Sequence, residues 1–291
     1  MTTDEEVVLA DLELSRGVVI QMSAVGLLGF VVALALFGGL FAAVAGRPAT
    51  FDFFPGVAWW NSALDFLVVA VLATVIIVPH EWVHGLAFRR YGGDPRYGVG
   101  VAHFVLPYAY ASSEGRFTRN EALVIVLAPL VVLTAVGTPL MLATGWGWLA
   151  LPLAANAAGA VADVWMALSL VSFPAHVLME DHEDGVRVIG RPGDRVPDLS
   201  VTTVAWEALA GAAVAAVALL VVVGIGGPVV LGALGVESLT LGRPGTLSYV
   251  FSFVNRPDEI SVGVGPGVLV TGAALGLAFA LLRTALRRPR A

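Results

Sequence analysis

Long apolar runs separated by short polar connections dominate the chain. The runs Gly17–Gly46, Leu64–Phe88, Ala122–Thr144, Trp148–Pro174, Val201–Val236 and Val268–Leu286 each supply about the 20 residues, or more, that an α-helix needs to cross a bilayer. The pattern predicts about six transmembrane helices; the fifth run is long enough to tilt, to break at Gly224–Pro228 or to re-enter. The longest polar connections are Arg89–Asn120, Glu180–Ser200 and Glu237–Pro266. Within the first, Tyr97–Ala111 is rich in Gly, Val and aromatic residues and interrupted by Pro107, which predicts a short β-hairpin at the cytoplasmic face. Within the third, Asn255–Asp258 is a turn signal between the strand-like runs Leu247–Val254 and Glu259–Val264. The expected fold is an all-α polytopic membrane protein, residues 1–291 forming one membrane domain.

Composition removes the soluble alternative. The chain is 58% hydrophobic and 13% charged, with a mean hydropathy of +0.86, against about 45–50% apolar and 25% charged for a soluble domain. Cysteine is absent, so any metal must be held by His and carboxylate. Asp4, Glu5, Glu6, Asp11 and Glu13 make the N-terminus acidic, and the run after them is too long for a signal peptide; it is expected to stay as the first span. All sixteen basic residues are Arg, and thirteen fall on one side if the spans simply alternate. Positive residues favour the cytoplasmic side, so the reading is a multi-pass protein of the cell membrane with both termini cytoplasmic. Its expected partners are the lipid bilayer and a membrane-associated peptide or protein substrate, with no nucleic acid.

One stretch carries chemistry. In Val78-Pro79-His80-Glu81-Trp82-Val83-His84-Gly85 two histidines stand four apart, on one face of a helix, where both imidazoles can reach a tetrahedral Zn²⁺ beside Glu81. Zinc lowers the pKa of its bound water to about 7, and Glu81 is the expected base. At this composition the pattern arises by chance in roughly 0.3% of chains, and a carboxylate within a span costs about 2.5–3.5 kcal/mol, which makes an idle Glu81 a poor alternative. Pro79 frees the carbonyl of Val75 and is expected to bend the helix there.

A third ligand is needed. Asp163 is the sole acid of the fourth run. Counted from the outer ends of their runs, His80 and Asp163 lie at depths of about 24 Å and about 22 Å. Asn156 lies two turns before Asp163 on the same face, either lining the cleft or bonding between helices. His103, His176 and His182 lie in or near connections and read as solvated or satisfied, and Glu180, Asp181, Glu183 and Asp184 read as a solvated acidic loop.

On His80-Glu81-Trp82-Val83-His84-Gly85, followed by Asn156 and Asp163, the chain resembles the site-two protease-like intramembrane zinc metalloproteases, and more closely the membrane family called putative zincin peptidases. The resemblance covers residues 64–184, the metalloprotease-like core. It implies Asp163 as third zinc ligand, Glu81 as base and Asn156 near the substrate, and a strand such as Tyr97–Ala111 pairing with an extended substrate. Site-two proteases usually continue the Asn motif with Pro and end it with Asp-Gly, whereas here Gly159 and Val164 stand near those places. The expected function is hydrolysis of peptide bonds in or at the membrane. The alternative is a metal-binding membrane protein, a carrier or inactive scaffold, without proteolysis; a pure ligand site needs the two histidines but not Glu81 between them. A transporter would more typically show repeat halves with broken helices, and the chain has no internal repeat.

Overall fold

Apolar stretches satisfy their backbone groups internally by closing into helices, the one solution open to a segment without polar neighbours. The computed structural model describes residues 6–51, 53–54, 59–102, 106–182, 185–194, 200–256 and 259–287. In chain order the elements are β1 (Val7–Glu13), α1 (Arg16–Ala45), α2 (Trp59–Val75), α3 (Ile77–Arg90), β2 (Pro95–Ala102), β3 (Leu106–Ser113), β4 (Arg116–Thr118), α4 (Arg119–Thr144), a 3₁₀ turn at Gly147–Leu149, α5 (Ala150–Gly159), α6 (Val161–Leu170), β5 (Leu178–His182), β6 (Gly185–Gly190), α7 (Val201–Val221), a π-helical turn at Val222–Gly226, α8 (Gly227–Ala233), β7 (Ser238–Leu241), β8 (Phe251–Arg256), β9 (Glu259–Val264) and α9 (Gly267–Arg287).

Among the described residues six helical stretches are long and apolar enough to cross a membrane, as the hydrophobic pattern predicts: Arg16–Ala45, Trp60–Arg90, Arg119–Thr144, Gly147–Leu170, Val201–Ala233 and Gly267–Leu286. Two of them are interrupted beside the residues of interest. The second changes from α2 to α3 at Ile76, next to the carbonyl that Pro79 leaves without an amide partner. The fourth changes from α5 to α6 at Ala160, just after Gly159. The fifth neither breaks nor re-enters; it passes through the π-helical turn into α8.

The expectation of an all-α fold is corrected by three small antiparallel sheets among the described residues. One is the expected hairpin of β2 and β3, in which Tyr97 pairs with Ala111. A second has the order β1-β6-β5-β4 and the third the order β7-β8-β9. Of the acidic stretch read as a loop, Glu180 and Asp181 lie in β5, and Glu183 and Asp184 lie outside the described residues. Within it Glu180 pairs with Arg116 at 3.3 Å; elsewhere on the sheet Arg116 also pairs with Glu6 at 2.9 Å and Arg187 with Asp11 at 2.9 Å.

The chain divides into two compact units, Met1–Ser15 with Gly29–Asp198, and Arg16–Leu28 with Leu199–Ala291. In the first, a core of Phe117, Ala122, Ile125, Leu170, Phe173, Val177, Met179 and Val188 joins α4 and α6 to the four-stranded sheet, with Leu9 and Leu12 of β1 packed against it. The start of α4 is held by a reciprocal cap, in which the Thr118 side chain accepts from the Glu121 amide while the Glu121 carboxylate accepts from that of Thr118. In the second unit α7 and α9 approach so closely that a Cβ on Gly276 would strike the Ala212 backbone, the small-residue contact by which apolar helices associate. Glu207 and Arg283 pair across these helices at 3.1 Å.

Candidate metal centre

Histidines four apart on α3 put their rings on one face, and here the ring centroids stand 5.0 Å apart, edge to face. Both histidines are buried. Asp163 on α6 meets them: its Oδ2 lies 3.2 Å from His80 Nε2 and its Oδ1 lies 3.4 Å from His84 Nε2. The three side chains form a group that could hold a metal ion.

The outer nitrogens fix which form the rings take. His84 Nδ1 lies 2.9 Å from the carbonyl oxygen of Ile125, a pure acceptor, so Nδ1 carries the hydrogen and Nε2 faces Asp163 with its lone pair. His80 Nδ1 lies 2.9 Å from Asn156 Oδ1. The orientation of that amide follows from its other end, because Asn156 Nδ2 donates to the Pro129 carbonyl at 3.4 Å. His80 therefore also donates through Nδ1 and turns the Nε2 lone pair inward. This is the outer-shell arrangement that metal-ligating histidines adopt.

Two lone pairs facing a carboxylate repel it unless an electrophile lies between. Two extra protons would make charge-assisted hydrogen bonds, which are normally about 2.7–2.9 Å long, shorter than either observed distance. A tetrahedral zinc ion with bonds of about 2.0–2.2 Å has ligand-to-ligand edges of about 3.3–3.6 Å, close to both. Asp163 Oδ2 is also a buried oxygen with no hydrogen-bond partner. On donor set, spacing and the unpartnered oxygen, these residues fit zinc.

Glu81 stands between the histidines in sequence, half-buried, and its carboxylate faces the backbone amide of Ala111 on β3. The hairpin reaches α3 because Gly85 has no side chain: a Cβ there would collide with the Tyr97 hydroxyl. Among the described residues β3 pairs with β2 alone, and the Glu81 contact marks the Ala111 amide as belonging to its other edge.

The structure thus brings His80, His84 and Asp163 together, with Glu81 beside them. It places Asn156 behind His80, 1% exposed and engaged at both polar ends, so this side chain bonds between helices and lines no open cleft. His176 is elsewhere, bonded through Nε2 to Asp194 at 2.8 Å. The amide of Arg191 and then the His176 ring hold the Asp194 carboxyl below its ordinary range. His103 and the side chain of His182 lie outside the described residues. Sequence reasoning missed the carbonyls of Ile125 and Pro129 and the amide of Ala111, all backbone groups.

Fold and site together define a largely helical chain, with six helices among the described residues long and apolar enough to cross a membrane, bearing a group of two histidines and one carboxylate that could hold a metal. Residues 73–178, which include all five predicted site residues, match the family described as "Putative zincin peptidase". No curated protein and no solved structure matches the chain.

Proposed function

We propose that the chain is a zinc-dependent peptidase embedded in the membrane, with His80, His84 and Asp163 as ligands and Glu81 as general base. The observation that carries this reading is the convergence of both Nε2 atoms on the Asp163 carboxylate while both Nδ1 atoms are bonded outward. Zinc held there supplies the acidity that makes water a nucleophile near neutral pH. Glu81, on the same helix and steadied by the Ala111 amide, takes the proton from that water and passes it to the leaving amine. Asn156 acts through His80, keeping the ring turned toward Asp163. On the edge of β3 that faces Glu81 the amides of Ala111 and Ser113 already bond to Glu81 and Asp181; an extended peptide would add along the rest of that edge as a strand and bring its carbonyls past the base.

The test compares purified wild type with Glu81→Gln and with the double variant His80→Ala, His84→Ala. Metal content is measured, and cleavage of an apolar peptide library in detergent micelles is followed by mass spectrometry. Wild type is expected to bind about one zinc and to cleave, Glu81→Gln to keep zinc without cleaving, and the double variant to lose both. Undiminished cleavage by Glu81→Gln rejects the mechanism. A wild type that holds zinc and cleaves nothing would favour a carrier or scaffold.

A further inference from the structure

Both acceptors that hold the imidazoles trace back to one turn of α4. Proline has no amide hydrogen, so Pro129 leaves the carbonyl four residues earlier, that of Ile125, without its helical donor. In an apolar span a freed carbonyl must find another donor, and the donor here is His84 Nδ1 at 2.9 Å. The carbonyl of Pro129 itself receives Asn156 Nδ2 at 3.4 Å, and the other end of that amide receives His80 Nδ1 at 2.9 Å. Pro129 is fully buried and Ile125 nearly so, so water is not at hand to replace either contact.

We propose that Pro129 is a positioning residue of the metal centre: it releases the Ile125 carbonyl to His84, presents its own carbonyl to Asn156, and thereby aims both Nε2 lone pairs at one point. The inference rests on the zinc-site reading and extends it to a residue with no ligating atom. An amide hydrogen restored at position 129 would point along α4 at the Ile125 oxygen and draw it into the helical ladder, in competition with His84. A proline that served only to bend the helix would affect packing without regard to the metal. Pro139, in the same helix and about 15 Å further along it, supplies the comparison.

The experiment measures the zinc dissociation constant by chelator competition, and the visible spectrum of the cobalt-loaded protein, for wild type, Pro129→Ala, Pro139→Ala and a protein with lactic acid in place of residue 129. The last replaces the amide by an ester and so lacks the hydrogen, as proline does. Pro129→Ala is expected to bind zinc about tenfold more weakly, at the lower end of the 10–100-fold effect of outer-shell changes, with a shifted cobalt spectrum. Pro139→Ala and the ester protein are expected to match wild type in both. Wild-type affinity and spectrum in Pro129→Ala overturn the proposal. So does an ester protein that binds as weakly as Pro129→Ala, and this arm stands even where the alanine variant does not fold. A wild type that binds no zinc ends the zinc reading and this inference together, whereas tight zinc binding by wild type and Pro129→Ala alike ends this inference alone.

Discussion

Asp163→Ala separates a ligand from a polar residue that merely packs between helices. The carboxylate spans both histidines, at 3.2 and 3.4 Å, and its removal leaves the two imidazoles of α3 as the only donors of the group. At zinc a hundredfold above the wild-type dissociation constant, binding stabilises the folded protein by about 2.7 kcal/mol. Loss of one of three ligands is expected to weaken binding at least tenfold, about 1.4 kcal/mol. At the same zinc concentration the variant then gains at most about 1.4 kcal/mol, so half or more of the zinc-dependent stabilisation disappears. The assay is thermal unfolding of the purified protein in detergent, with zinc and with chelator. Comparing each protein with its own chelator-treated form cancels whatever the substitution does to packing. His176→Ala serves as the contrast, since His176 is committed to Asp194, and its zinc shift is expected to equal that of wild type. An Asp163→Ala protein with the wild-type zinc shift and dissociation constant would refute the ligand assignment.

Two further outcomes are expected. Reporter fusions placed after Arg116 and after the C-terminus should report the cytoplasm and one near Pro244 the outside, on the asymmetry of thirteen Arg against three; the reverse pattern would invert the topology. Gly85→Ala forces a Cβ onto the Tyr97 hydroxyl and should cost about 1–3 kcal/mol as an overpacked contact. Adding Tyr97→Ala should recover part of that loss in denaturant unfolding, and no recovery would show that the hairpin is not seated on Gly85.

What the sequence disclosed was set by where the information resides. His80, Glu81 and His84 declare themselves because the chemistry is in the side chains and the spacing is that of one helix face. Asp163 is legible because a lone acid in an apolar run is costly. The β2–β3 hairpin shows through its composition and is local. The four-stranded sheet does not, because β5 is written in acids that look like a solvated loop, and because the partner of β1 lies far along the chain, at Gly185–Gly190. The contacts behind the histidines were beyond reach for another reason: a carbonyl oxygen has no letter of its own, and only the missing hydrogen of Pro129 hints at which one is free.

The pairing of β1 with β6 also sets an order of assembly. β1 is synthesised before α1 to α6, yet Glu13 pairs with Gly185 and Val7 with Gly190, so the strand waits unpaired while those helices are made. An apolar strand with open edges would invite association with other chains during that interval. Asp11 and Glu13, carried within the strand, supply the charge that discourages it, and Asp11 is matched by Arg187 once β6 arrives. By then His80, His84 and Asp163 have all been synthesised, so the closing of this sheet follows the making of every residue in the group that could hold a metal.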